Sequence, residues 1–162
     1  MAKSPRGCLG ILFELFGSAK NDADELPSVR VNKYFVTDAE ADFFRVLQRV
    51  VGSRAYVLAQ VSLRQLLWFP SRSDPSARKT WQNKIARRSL DFVICHPSTL
   101  RPLVAIELDE PSHARPERQT RDDEVERIVK AAGLPLERML TQRSYDTREI
   151  AERILPYLGR SV

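Results

Sequence analysis

Two acidic residues close an apolar run in the stretch VAIELDEPSHARPER, which spans residues 104–118. Glu107 and Asp109 are two positions apart, so on a β-strand both side chains project from the same face. Asp91 stands near the start of an earlier apolar run, LDFVICHP. If the two runs pair antiparallel, the start of one lies beside the end of the other. This arrangement would bring Asp91, Glu107 and Asp109 together.

Three carboxylates at one point are a set of hard oxygen ligands that suits Mg²⁺ or Mn²⁺. A metal held there can bind a phosphate oxygen and lower the pKa of a bound water. His113 follows closely in the sequence, and an imidazole can take or give a proton near neutral pH. These residues predict phosphodiester hydrolysis, with Asp91, Glu107 and Asp109 as the metal ligands.

Each of these residues also has an ordinary structural explanation. An isolated E-x-D at a strand end is most often solvated surface charge, and Asp91 could pair with Arg87 or Arg88. His113 could be a loop histidine, and we interpret His96 as a turn residue without a catalytic role. The functional prediction therefore depends on the joint arrangement.

Caps and periodicity indicate the elements that must position these residues. Thr37 and Glu40 form a capping-box pattern that opens a helix, and Gly52 ends that helix. Three apolar runs, at residues 55–62, 90–97 and 103–109, are typical of strands. A helix over residues 120–133, with Thr120 as its cap and Asp122 in its first turn, precedes a strand over residues 134–140. A helix capped by Asp146 follows.

This order predicts an α/β fold, with a mixed four-stranded sheet flanked by helices. The chain has 162 residues, of which 43% are hydrophobic and 29% charged, as expected of one globular domain. We predict a domain over residues 29–162 and an N-terminal tail over residues 1–28. The tail carries the apolar segment CLGILFELFG, which is too short to cross a bilayer. It could contact the domain, a partner protein or a membrane surface, or remain free.

The formal net charge of +5 is consistent with a polyanionic partner. Positive charge gathers in residues 71–88, and the predicted nucleic-acid-binding residues are Lys84, Arg87, Arg88, Arg78 and Lys79. Trp68 and Trp81 flank this segment, and they could stack on bases or pack into the core. Cys8 and Cys95 are far apart, which indicates no disulfide framework and fits a reducing, cytoplasmic location.

Residues 84–136 resemble an uncharacterised bacterial family, the domain of unknown function 2726. The likeness covers residues 31–158, where TDAEADFF, AQV, LDFVI, IELDEPSH, RDDEV and AAGLPL occur in order. That family is grouped with the restriction-endonuclease-like PD-(D/E)XK superfamily, near the very-short-patch-repair endonucleases. The resemblance implies a restriction-endonuclease-like α-β-β-β-α-β core and a Mg²⁺-dependent endonuclease.

The resemblance also implies roles for individual residues. The two acidic residues of the superfamily motif fall on Asp91 and Glu107. The lysine of the motif, which orients the attacking water and stabilises charge, is replaced here by Asp109. The repair-endonuclease branch also lacks this lysine, and its downstream histidine matches His113.

Three further residues match polar positions of the superfamily. Glu40 matches an acidic residue on the first helix that faces the metal, and Gln60 matches a polar position on the first strand. Asp122 matches an aspartate that follows the histidine, although helix capping is an alternative role for it.

Three functions remain open from the sequence. The leading hypothesis is a metal-dependent nuclease acting on nucleic acid, with DNA favoured over RNA and with catalytic residues Asp91, Glu107, Asp109, His113, Glu40 and Gln60. The alternative is a catalytically inactive nucleic-acid-binding module of the same fold, which the missing lysine favours and the acidic residues disfavour. A third hypothesis is an interaction protein anchored through its N-terminal apolar segment.

Overall fold

A computed structural model describes residues 26–110 and 116–159, and no side chain of residues 116–121 is described. His113 and most of the predicted N-terminal tail lie outside these ranges. The chain divides into two units, Met1–Lys33 and Tyr34–Val162. The predicted boundary between residues 28 and 29 stays a prediction, as does the role of the apolar segment.

Five α-helices and four β-strands form the described part of the larger unit. The helices are α1 (Asp38–Val51), α2 (Leu63–Leu66), α3 (Pro75–Ile85), α4 (Pro116–Ala131) and α5 (Thr147–Leu158). The strands are β1 (Tyr56–Ser62), β2 (Ser89–Cys95), β3 (Pro102–Asp109) and β4 (Leu136–Leu140). A 3-10 turn, Gly52–Arg54, joins α1 to β1.

The four strands form one sheet in the order β1-β2-β3-β4. β1 pairs antiparallel with β2, β2 pairs antiparallel with β3, and β3 pairs parallel with β4. The parallel pair needs a crossover connection, which α4 provides. The predicted mixed sheet and the predicted pairing of the two acidic-ended runs are therefore confirmed.

Helices cover both faces of the sheet. One face carries Phe92, Ile94, Val104 and Ile106, which pack against α1 and α5. We call this the α1 face. The other face carries Val93, Cys95 and Ala105, which pack against Leu63 of α2, Ile85 of α3 and Val129 of α4. We call this the α4 face.

The predicted caps of α1 and α5 are confirmed. The Thr37 hydroxyl accepts a hydrogen bond from the Glu40 backbone N–H at 3.2 Å, and the Glu40 carboxylate accepts one from the Thr37 N–H at 2.6 Å. Asp146 accepts a hydrogen bond from the backbone N–H of Arg148 at 2.8 Å. Both helices therefore begin where their side chains satisfy exposed backbone donors.

The predicted start of α4 is wrong. This helix begins at Pro116, so Thr120 lies inside it and does not cap it. Proline is favoured at the first position of a helix because its fixed φ suits the helix and its missing N–H needs no partner. Asp122 consequently lies beyond the first turn, and its predicted capping role is also wrong.

Within residues 26–110 and 116–159, no helix is long and apolar enough to cross a membrane.

Phe43 links α1 to the sheet, and it provides a test of the core. Its ring is fully buried, with its centroid 5.7 Å from that of Phe92 and 4.8 Å from that of Tyr145. We expect Phe43→Ala to lower the free energy of unfolding by about 3–5 kcal/mol, because it leaves a cavity in the core. Urea unfolding would measure the change. Phe35→Ala, at a 68% exposed position, is the control and should have little effect; equal losses would contradict this description of the core.

Candidate metal and active site

Polar residues gather at one end of the sheet, where β1 and β3 finish, β2 begins and β4 reaches Arg138. Ser62 pairs with Ser89, and Glu107 pairs with Arg138, so these residues lie at the same end of the sheet. We call this end the carboxylate end, and its members are Gln60, Ser89, Asp91, Glu107, Asp109 and Arg138. The β2–β3 register pairs Phe92 with Ile106, and continuing it by one residue places Asp91 opposite Glu107.

The alternation of side chains along β1 and β2 breaks at this end. Leu90 packs on the α4 face although Phe92, two residues later, packs on the α1 face. On β1, Ala59 packs on the α1 face and Val61 on the α4 face. Gln60 lies between these two with a φ of 53°, a left-handed conformation that is uncommon for a residue other than glycine. The regular alternation of side chains is therefore interrupted at Gln60 on β1 and at Asp91 on β2.

The break places the Asp91 carboxylate close to the plane of the sheet. Its Oδ2 accepts a hydrogen bond from the backbone N–H of Leu108 at 2.8 Å, and backbone N–H groups of a strand lie in that plane. The Asp91 carboxylate can therefore interact both with Glu40, which lies on the α1 face, and with Glu107, which lies on the α4 face. The predicted alternative, in which Asp91 pairs with Arg87 or Arg88, is not observed in the described structure.

Asp91 and Glu107 interact directly, and their surroundings favour the protonated form of Glu107. Burial, the negative charge of Asp91 and a hydrogen bond to Asp91 together raise the pKa of Glu107 to about 9, while Arg138 partly opposes this rise. Burial also raises the pKa of Asp91, to which the negative charge of Glu40 adds. A protonated Glu107 carboxyl can donate a hydrogen bond to Asp91. A cation bound between these oxygens would take the place of that proton.

Glu40 and Gln60 also lie at this site, whereas the catalytic roles that the resemblance implies for them stay predictions. The Gln60 side-chain amide donates to Oε1 of Glu40 at 2.8 Å, and its carbonyl accepts from the Ser89 hydroxyl at 3.1 Å. The other oxygen of Glu40 accepts from the Thr37 N–H at 2.6 Å. Glu40 therefore caps α1 and at the same time stands beside Asp91.

Asp109 has a different environment from the other carboxylates. Its two oxygens accept hydrogen bonds from Nε and Nη2 of Arg138, at 2.8 Å and 2.9 Å. Asp122 and Glu126 of α4 also approach the guanidinium, each at 3.7 Å. Asp109 thus faces Arg138, and its predicted role as a metal ligand stays a prediction.

In the part of the chain that the structure describes, no three acidic, histidine or cysteine side chains are arranged to hold a metal ion together. The structure brings Asp91 and Glu107 together, with Glu40 in contact through Asp91. This arrangement suits Mg²⁺, which retains several waters and uses one or two protein carboxylates. His113, the predicted proton-transfer residue, cannot be placed because it lies outside the described residues.

Basic residues flank the site on the α4 face. Lys84, at the end of α3, forms an ion pair with Glu124 of α4 at 2.6 Å. Arg88 and Arg127 are close enough to Glu124 to contribute, with Lys84, to lowering its pKa. Three cations therefore surround one anion. The other predicted residues, Arg78, Lys79 and Arg87, lie on or just after α3 and are at least partly exposed.

The two tryptophans differ. Trp81 is half-buried, and its ring is covered by Lys84 Nζ at 5.0 Å and by the Arg127 guanidinium at 5.8 Å from the ring centroid. Trp81 therefore links α3 to α4 through cation–π contacts. Trp68 is 82% exposed, so stacking on a base stays a prediction for this residue.

His96 has the turn role that the sequence predicted. Its Nδ1 accepts hydrogen bonds from the backbone N–H groups of Ser98 at 3.2 Å and Thr99 at 3.4 Å. The ring thus stabilises the β2–β3 turn, far from the carboxylate end.

Sequence reasoning missed Arg138, Ser89 and Arg127. Arg138 lies in LERML, where an Arg–Glu pair interrupts an apolar strand, and adjacent charges on a strand must project from opposite faces. That pattern indicated that Glu137 and Arg138 project from opposite faces of the sheet. The partner of Arg138 could be identified only from the β3–β4 register. Ser89 and Arg127 carry no comparable signal.

The comparisons with known proteins give one match. A family model described as "Protein of unknown function (DUF2726)" matches residues 32–157. Searches of curated proteins and of solved structures found no match to the chain.

The raised pKa of Glu107 makes stability depend on pH. A glutamate has an ordinary pKa of 4.5, so between about pH 4.5 and 9 the folded protein keeps a proton on Glu107 that the unfolded chain releases. The free energy of unfolding should therefore fall as the pH rises through this window, by up to about 1.4 kcal/mol per pH unit. Glu107→Gln removes this proton, so its stability relative to wild type should increase from pH 5 to pH 9.

Urea unfolding of both proteins at pH 5, 7 and 9 would measure the effect. Asp42→Asn, at an exposed residue of α1, is the control and should leave the pH profile of wild type unchanged. Parallel profiles for wild type and Glu107→Gln would show that Glu107 holds no extra proton.

Proposed function

The chain belongs to the DUF2726 family of proteins of unknown function, and we propose that it is a metal-dependent nuclease. In this proposal it hydrolyses phosphodiester bonds in nucleic acid, with DNA as the expected substrate. The observation that carries the proposal is the Asp91–Glu107 pair, in which the β2–β3 register sets two interacting carboxyl groups opposite each other at the end of a buried strand. The resemblance to the PD-(D/E)XK superfamily and its repair-endonuclease branch supports the same reaction.

Asp91 and Glu107 are the proposed ligands of Mg²⁺ or Mn²⁺. The bound ion would polarise a phosphate oxygen and lower the pKa of a bound water. The backbone N–H of Leu108 donates a hydrogen bond to Oδ2 of Asp91, and this contact fixes the orientation of the Asp91 carboxylate. Glu40 stands beside Asp91, where it can accept a hydrogen bond from a water at the site.

The reaction is a hydrolysis. The oxygen of water forms a bond to phosphorus and gives up a proton, the bond from phosphorus to one ester oxygen breaks, and that ester oxygen takes up a proton. His113 is the proposed proton-transfer residue, from its place in the sequence. Its assignment rests on the sequence alone.

Burying two neighbouring carboxyl groups lowers the stability of the folded protein, so the presence of such a pair suggests a function. Two carboxyl groups placed side by side in a partly apolar site each resist ionisation, and strongly perturbed pKa values gather at functional sites. A protein that only bound nucleic acid would gain nothing from carboxylates facing phosphate. This argument favours catalysis over the inactive binding module.

The basic residues on the α4 face are the proposed contact with the phosphate backbone. Lys84, Arg88 and Arg127 leave the group around Glu124 with an excess of two positive charges. Lys84 and Arg127 also hold α3 and α4 together through Trp81, so the charges are carried on two linked helices. Such a surface binds phosphates by releasing their counterions.

The metal site can be tested without knowing the substrate. We expect Mn²⁺ to bind wild type in calorimetry, and Glu107→Gln or Asp91→Asn to weaken that binding at least tenfold, because each removes one charged ligand. Wild type should also cleave DNA in Mn²⁺ but not in EDTA, and both variants should be inactive. Asp42→Asn is the control for loss of a surface carboxylate.

Absence of Mn²⁺ binding by wild type would contradict the metal site. Salt-dependent binding of DNA in EDTA without cleavage in any metal would instead select the inactive binding module.

The basic surface predicts the salt dependence of binding. The double variant Lys84→Gln, Arg127→Gln should weaken DNA binding and reduce the slope of log affinity against log salt by about 0.9 for each phosphate that is no longer neutralised. Glu124→Gln should strengthen binding, because it removes the anion among these cations. Fluorescence anisotropy of a labelled duplex in EDTA, over a range of salt, would measure both effects.

Arg45→Gln is the control, since Arg45 is an exposed arginine of α1 on the other side of the sheet. If this control changed the slope as much as the double variant, binding would depend on the total charge rather than on this surface.

A further inference from the structure

We propose that Arg138 binds the phosphate group to be cleaved, and that Asp109 positions its guanidinium instead of ligating the metal. This inference rests on the proposed nuclease function, and it names the group that holds the substrate phosphate. It also gives Asp109, the residue in the place of the motif lysine, a different role from the one that the sequence suggested.

The register of the sheet places Arg138 beside the metal-binding pair. Glu107 pairs with Arg138 in the parallel β3–β4 ladder, and neighbouring strands lie about 4.8 Å apart. Leu136, two residues before Arg138, packs on the α4 face, and Ala105, two residues before Glu107, packs there too. Glu107 therefore has Asp91 on one side and Arg138 on the other. A phosphate oxygen at the metal would lie within reach of this guanidinium.

The guanidinium is held rigidly. Asp109 binds it through two parallel hydrogen bonds, and the Arg138 side chain is 32% exposed. The backbone is fixed from the opposite face, where Arg153 of α5 donates to the Arg138 carbonyl at 2.8 Å. Arg153 is itself held by Glu137, at 2.6 Å. A planar cation fixed in this way can recognise phosphate with little loss of side-chain entropy.

Arg138 also keeps donors that a phosphate can use. The hydrogen bonds to Asp109 occupy Nε and one side of Nη2, whereas the contacts to Asp122 and Glu126 are longer, at 3.7 Å. At that distance an ion pair is weaker than a direct hydrogen bond. A phosphate oxygen can therefore replace these partners, because a guanidinium has five N–H donors.

Two assignments of Asp109 predict different results. If Asp109 ligates the metal, Asp109→Asn should weaken Mn²⁺ binding as Glu107→Gln does. If Asp109 positions Arg138, Asp109→Asn should leave Mn²⁺ affinity within about twofold of wild type and should instead raise KM for DNA. Arg138→Gln should give the same pattern, with KM raised about tenfold because one charge-assisted hydrogen bond to phosphate is removed.

The experiment combines Mn²⁺ calorimetry without DNA and steady-state cleavage of one duplex by Asp109→Asn, Arg138→Gln and Arg138→Lys. Arg138→Lys keeps the charge but cannot form two parallel bonds, so we expect partial recovery of KM; it also keeps the test readable if Arg138→Gln does not fold. Arg148→Gln, at an exposed arginine paired with Glu152, is the matched control.

Loss of Mn²⁺ binding in Asp109→Asn would overturn the inference, as would wild-type KM and kcat in Arg138→Gln. Failure of wild type to bind Mn²⁺ would overturn the nuclease proposal itself, so the two failures are distinguishable.

Discussion

The hydrogen bond from the Leu108 N–H to Asp91 is the contact on which the carboxylate end depends. It holds the Asp91 carboxylate close to the plane of the sheet, where it interacts with residues on both faces. With regular alternation of side chains, Asp91 would face only one of them. The left-handed conformation of Gln60 accompanies this placement, and such conformations cost on the order of 1 kcal/mol or more. The side chain of Gln60 offsets that cost by contacting Glu40 and Ser89. Backbone strain and acidic residues therefore occur together.

Charge at this end is organised in two neighbouring groups. In the first group, burial and the negative charge of Glu40 raise the pKa of Asp91, while burial and the negative charge of Asp91 raise the pKa of Glu107. The second group is centred on Arg138, whose own pKa is raised by its hydrogen bonds to Asp109. Glu107 interacts electrostatically with both groups, so the protonation of the first depends on the integrity of the second. The three carboxyl groups and the one arginine at the carboxylate end are therefore electrostatically coupled.

The sequence predicted the fold better than it predicted the site. Thr37, Glu40 and Asp146 act over three residues or fewer, so their caps could be read directly, and apolar runs identified all four strands. Thr120 was misassigned because Pro116 provides an earlier start that competes with it. The pairing of Asp109 with Arg138 joins residues 29 positions apart, and it could not be inferred without the register of β3 and β4. Local signals in the sequence therefore predicted the helices and strands, whereas the side-chain partners could be identified only from the topology of the sheet.

Gln60 has a second consequence, which concerns the outer edge of the sheet. β1 is a terminal strand of the sheet, and the exposed Tyr56 and Leu58 make its first half apolar. An uninterrupted edge of this kind invites the addition of a foreign strand, which leads to aggregation. The left-handed residue interrupts the extended backbone after Ala59, so only a short segment has the geometry for such pairing. The distortion that aims a carboxylate thus also shortens the surface open to self-association.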